Sequence, residues 1–176
     1  MKLFTLLLFV VIPIIAQAQE GPYSHLVIQD GQVLFEEIYK LDSVASEDVK
    51  LRLSQYVPGI KNLVDYHLEG DVITARFSGA MIDYRKYGGK WGNTAVYLNH
   101  PFSANINIVW KEGKYKAAVT NIVFHTAGFG DVYATELLSK GKSERKWLTG
   151  KMAVQAGTYI NDYLYDQFVL KENKKW

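Results

Sequence analysis

Between Asn105 and Phe124 the chain reads NINIVWKEGKYKAAVTNIVF, an alternation of apolar and polar positions around one Glu-Gly step. Alternation with period two marks a half-buried strand. A two-residue turn at Glu112-Gly113 makes this a hairpin that pairs residues whose numbers add to 225. Trp110 then faces Tyr115, Ile108 faces Ala117 and Ile106 faces Val119, giving one apolar face that needs a cover. The other face holds Lys111 with Lys114, Val109 with Lys116, Asn107 with Ala118, and Asn105 with Thr120, a mixed surface suited to water or to a partner.

The same patterning predicts the remaining elements. Val33 to Tyr39 is rich in β-branched and aromatic residues and reads as a strand. In SVASEDVKLRLSQYVPG, Ser46 is positioned to cap a helix, with Glu47 and Asp48 in its first turn and Pro58-Gly59 to stop it; Val49, Leu53 and Tyr56 share one face. NLVDYHLEGDVITARFSGAMIDY reads as two strands joined near Glu69-Gly70-Asp71. Residues 19–31 read as an extended arm, Arg85 to Pro101 as a long Gly-bearing excursion, and the stretch after His125 as a loop with at most one short helix. From Lys151 onward, Met152, Ala156, Tyr159, Ile160, Tyr163, Leu164 and Phe168 recur at helical spacing, an amphipathic helix able to cover the apolar sheet face. The order strand, helix, four strands, helix predicts an α+β fold, an antiparallel sheet of about five strands with the helices packed on one face.

The first residues change the compartment. Lys2, an apolar run from Leu3 to Ile15 and Ala16-Gln17-Ala18 form the pattern of a secretory signal, residues 1–18, with cleavage expected after Ala18. The run is shorter than the roughly 20 residues that cross a bilayer, so no transmembrane segment is expected once the signal is removed. Residues 19–176 then form a single globular domain, exported to the periplasm or beyond the cell. Cysteine is absent, which excludes disulfides, thiolate metal sites and a lipid-anchored cysteine. Cleavage removes one of the 20 Lys and Arg and none of the 18 Asp and Glu, leaving a charge of +1 and no electrostatic reason to expect nucleic acid.

No catalytic set emerges from spacing. His25, His67, His100 and His125 lack the two-apart or four-apart spacing of a metal pair, so neither metal nor cofactor is expected. Near Gly141-Lys142-Ser143 and Thr149-Gly150-Lys151 the position that a phosphate loop reserves for Gly holds Glu136 and Arg145. Ser143 to Lys146 matches Ser-x-x-Lys without that class's partner motifs, and Glu36 and Glu37 point to opposite faces of a strand.

Two groups of residues are candidates for binding. The loop Tyr84 to Asn93 mixes Tyr87 and Trp91 with Arg85, Lys86 and Lys90 on a Gly backbone, which suits stacking on a sugar or holding an anionic glycan; the blander reading is an exposed turn whose aromatics fold back. The polar hairpin face offers Asn105, Asn107, Lys116 and Thr120 on a rigid platform, although a solvated outer face has the same pattern.

LFEEIYKLDSVASEDVKLRLSQYV and INIVWKEGKYKAAVTNIVF, together with the element order, resemble a family of secreted bacterial domains of unknown function with a TATA-binding-protein-like fold. The resemblance covers roughly residues 32–125, with the loop and terminal helix, 126–172, outside it. It implies a curved sheet with helices on its convex side and supplies no activity, cofactor or catalytic residue. The leading expectation is an exported, non-catalytic binding or structural module of the cell envelope. It would hold a glycan, peptide or envelope protein through the open sheet face or the 84–93 loop. The rival is an envelope-polymer hydrolase using His67 or His125 with Asp65 or Asp83.

Overall fold

The computed structural model describes residues 21–128, 130–141 and 144–170; the expected signal, residues 1–18, and the charged tail, residues 171–176, lie outside these. Five long elements follow the sequence reading closely: β2 (Gln32–Lys40), β3 (Leu63–Glu69), β4 (Val72–Ala80), β5 (Phe102–Lys111) and β6 (Lys114–Thr126). Helix α1 (Ser46–Tyr56) falls between β2 and β3, and α3 (Lys151–Phe168) ends the described chain. Two short strands join the sheet at its margins, β1 (Leu26–Gln29) and β7 (Gly130–Tyr133), followed by the one-turn helix α2 (Ala134–Leu138) and a small ribbon, β8 (Ser139–Lys140) with β9 (Lys146–Trp147).

The seven-stranded sheet is antiparallel, curved and open, in the order β1-β2-β6-β5-β4-β3, with β7 also paired to β6. β6 is long enough for β2 and β7 to share one of its edges. β2 pairs with Tyr115 to Val119 and their neighbour Lys114, β7 with Val123 to Thr126. The arm expected at residues 19–31 is therefore partly a strand. Asp30 and Gly31 both take positive φ, 50° and 73°, the pair of angles a two-residue hairpin turn requires, and the turn folds β1 back on β2.

The hairpin register is the one the alternation predicts: Trp110 opposite Tyr115, Ile108 opposite Ala117, Ile106 opposite Val119. Beyond Thr120 the sum rises by one, Ser103 opposite Val123, because Asn121 is an extra residue with φ of 53°. The bulge flips the parity of β6, so Ile122 and Phe124 turn to the covered face that Val119 occupied on the other phase.

That face is sealed by α3. Phe168 lies against Phe35 and Phe77, Tyr163 meets Phe102 edge-on, and the buried Tyr115 hydroxyl donates to the Phe168 carbonyl while accepting the Leu170 N–H. α1 buries Val49 and Leu53, and Tyr56 donates to the Gln167 carbonyl, tying it to the end of α3. Burial pushes the hydroxyl of Tyr23 up to about 12 and raises those of Tyr39 and Tyr115 as well, so these phenols stay protonated hydrogen-bond donors in the interface.

Two local expectations differ. Ser46 is the first helical residue and not the cap; Ala45 occupies the cap position and no side chain bonds the free N–H groups. Met152, expected on the buried stripe, is 59% exposed. The covered stripe begins one turn later, where Gly157 lets the Tyr23 ring approach so closely that an added Cβ would lie 2.2 Å from it. Among the described residues no helix is long and apolar enough to cross a membrane.

Candidate functional site

Among the described residues, α1, α2 and α3 all contribute to the core on the side of Ile106, Ile108 and Trp110, and no described element covers the other face of β2, β6, β5 and β4. The strand registers organise its side chains into rows. At the hairpin end Lys40, Lys114 and Lys111 stand opposite one another across β2, β6 and β5. The next row is Ile38, Lys116, Val109 and Val72, and the next is Glu36, Ala118, Asn107 and Thr74. Thr120, Asn105 and Arg76 follow. Adjacent strands are about 4.8 Å apart, so the first row places three ammonium groups along roughly 10 Å.

Charge is unevenly compensated on this surface. Lys116 is held by Glu36 at 2.6 Å and Arg76 by Asp65 at 3.0 Å. Lys40, Lys111 and Lys114 have no acidic partner among the described residues. Like charges directly opposite one another on a sheet cost stability. Beside them Ile38 is 49% exposed, and a depression of about 310 Å³ opens between Ile38, Val109 and Lys111, Lys114 and Lys116.

Asn105, Asn107, Lys116 and Thr120 thus share one surface. The second candidate group lies elsewhere. Tyr87 sits in a short 3-10 turn, Tyr84–Tyr87, on the helix side, where its hydroxyl donates to Asp166 Oδ2 at 3.0 Å. Burial and that hydrogen bond raise its pKa. Lys86 closes on the same carboxylate at 2.5 Å. The Tyr87 ring is packed on the core, as the blander reading had it, and is no free stacking platform. Lys90 is exposed, its carbonyl accepting the Thr94 hydroxyl, and Trp91 is 78% exposed. The structure does not bring Tyr87, Lys90 and Trp91 together with the open face.

The histidines pair differently from expectation. Neither His67 nor His125 hydrogen-bonds Asp65 or Asp83 among the described residues; Asp65 is taken by Arg76. His125 Nδ1 lies 2.7 Å from Asp131 Oδ1, and its Nε2 lies 2.9 Å from Ser103 Oγ. A carboxylate only accepts, so in the neutral imidazole Nδ1–H donates to Asp131 and Nε2 accepts from the Ser103 hydroxyl. The order runs across three strands of the open face: β7 places Asp131 directly opposite His125 on β6, and β5 places Ser103 beside them. Spacing along the chain conceals this set. Asp131 falls in a stretch that reads as loop, and only the pairing of β7 brings it to His125. On the covered side His25 Nδ1 meets Glu37 at 2.5 Å, its ring stacked on Tyr165, a contact that fastens β1 and β2 to α3. Among the described residues no group of three His, Asp or Glu side chains is placed to hold a metal ion.

No family model and no curated protein matches the chain. Two solved structures are similar to it. One is a TBP-like protein from Parabacteroides distasonis ATCC 8503, with a TM-score of 0.51 and 10% identity over 84% of this chain and 97% of that one. The other is a DUF4468 family protein from Bacteroides ovatus ATCC 8483, at a TM-score of 0.48 and 14% identity over 88% and 95%. At these identities the first likeness speaks for the fold alone: an α+β, TBP-like arrangement of a curved, open antiparallel sheet with a few helices.

Proposed function

We propose that the protein is an exported binding module of the cell envelope whose open sheet face holds an acidic polysaccharide strand. The observation that carries this reading is the row Lys40, Lys114 and Lys111, three cations in register with no acidic partner among the described residues. A flat, open row of charges fits a chain bearing repeated carboxylates better than it fits one small anion, which would need an enclosing pocket. The neighbouring rows complete the match. Ile38, Val109 and the lysine stems offer apolar contact to sugar faces, and the Asn105, Asn107, Thr74 and Thr120 side chains offer hydrogen bonds to hydroxyls. Export of the chain rests on the Lys2 to Ala18 pattern. The exposed Trp91 belongs to the 84–93 loop and is not part of these rows.

Substitution at the centre of the row separates this reading from a merely solvated face. Lys114→Glu replaces two repulsions by two attractions, so the folded state is expected to gain about 0.5 kcal/mol and melt slightly higher. Binding to immobilised polygalacturonate is expected to fall at least tenfold in the same variant. Wild-type binding should vanish near 1 M salt, where the Debye length is about 3 Å. Unchanged polymer binding in Lys114→Glu, or equal binding to neutral glucan, would remove the proposal. Tighter binding to duplex DNA than to the polyuronate would replace the ligand class.

A further inference from the structure

We propose that Ser103, His125 and Asp131 form a serine-nucleophile site on the open face that hydrolyses O-acyl esters. The three groups occupy the positions the chemistry needs. Asp131 fixes the imidazole with Nδ1 protonated, which leaves the Nε2 lone pair aimed at the Ser103 hydroxyl 2.9 Å away. Each member is held by the sheet and not by a flexible loop. The end of β6 is tied to the start of β7 by the Thr126 hydroxyl donating to the Gly130 carbonyl, and the His125 N–H donates to the Pro101 carbonyl, which fixes β6 beside the start of β5. Val123, opposite both Ser103 and Tyr133 in the register, stands on the same face and is a buried apolar neighbour of the serine.

In the first step Ser103 Oγ bonds to the ester carbonyl carbon while its proton passes to His125 Nε2. The bond from that carbon to the alcohol oxygen then breaks, and the alcohol leaves with the proton from Nε2. Water attacks the acyl-serine, gives its proton to Nε2, and releases the carboxylic acid as the proton returns to Oγ. Water is the only co-reactant, and Asp131 balances the imidazolium charge in both halves. Asn105 lies two residues along β5 on the same face, and its side-chain amide has no hydrogen-bond partner among the described residues. It is the donor available to the developing oxyanion.

The setting narrows the substrate class. Asp131 and His125 are exposed, so water screens their pairing, and one amide donor stabilises an oxyanion less than a pair of buried N–H groups would. That suffices for an ester, whose alcohol leaves readily, and falls short for an amide. The site stands eight residues along β5 from Lys111, about 27 Å of strand, so it is separate from the cationic row and open to a small ester. Hydrolysis goes beyond the binding reading and is testable without it, because a small probe needs no polymer.

The full chain is treated with a fluorophosphonate probe and the adduct located by peptide mass spectrometry; hydrolysis of p-nitrophenyl acetate is followed in parallel. A single adduct on Ser103 is expected, absent in Ser103→Ala. In His125→Gln both the labelling rate and esterase rate should fall by at least about 100-fold. In Asp131→Asn, whose carboxylate is exposed, a fall of roughly tenfold is expected. All three positions are on the surface, and unchanged melting temperatures establish that the variants fold. Labelling spread over other serines, no adduct at all, or a His125→Gln variant that labels at the wild-type rate would overturn the assignment. Failure of polyuronate binding would leave this outcome untouched.

Discussion

Replacing Phe168 by alanine is expected to destabilise the fold by about 3–5 kcal/mol, the usual cost of deleting a buried phenyl ring. Phe168 is 1% exposed and sits in the last turn of α3, its ring 6.2 Å from those of Phe35 and Phe77. It therefore joins three elements at one point: β2, β4 and the helix that covers both. Its carbonyl receives the Tyr115 hydroxyl, so a cavity here also loosens a buried hydrogen bond. Domains of this size are stable by only about 5–15 kcal/mol, and a loss of about 3–5 kcal/mol from that is easily measured. Urea titration of Phe168→Ala should show a much lower midpoint with an unchanged slope. The companion variant Met152→Ala, on the same helix but exposed, should stay within about 0.5 kcal/mol of wild type. Similar midpoints for the two variants would mean that α3 does not seal the sheet as described.

Exchanging the character of two adjacent residues in β5 should have opposite outcomes. Ile108 is fully buried between Ile73 and Ala117 in the central strands, and Ile108→Asn both empties an apolar site and strands an amide there. The two costs together exceed about 4 kcal/mol, enough to leave little folded protein. Asn107→Ile, one residue away, points to the open face between Ala118 and Thr74 and should shift stability by less than about 1 kcal/mol. Thermal melts followed by circular dichroism give the comparison directly. A folded Ile108→Asn protein beside an unfolded Asn107→Ile protein would invert the faces of the sheet, and the cationic row and the Ser103 cluster would then be interior.

Much of this molecule is legible before folding is considered. The Glu112-Gly113 step and the flanking alternation lead to the observed pairs of the long hairpin, because a two-residue turn leaves only one register that buries Ile106, Ile108 and Trp110 together. The start of α3 at Lys151 is legible for a similar reason, since the three- and four-residue recurrence begins there. β1 was also within reach. Asp30-Gly31 between LVIQ and QVLF is a strong hairpin signal, and reading the segment as an arm overlooked it. β7 offers no comparable cue: four residues beginning with glycine gain strand geometry only from the free edge of β6.

Local periodicity therefore determined the long strands, the covering helix and which side of the hairpin is apolar, all of which follow from the few geometries a backbone allows. What tertiary structure alone decided is which polar groups become neighbours. One extra residue at Asn121 resets the phase of β6, β7 carries Asp131 to His125, and α3 draws Tyr87 to Asp166 and away from the open face. Those contacts join residues far apart in the chain. Their formation depends on how elements stack and not on the pattern within any one of them.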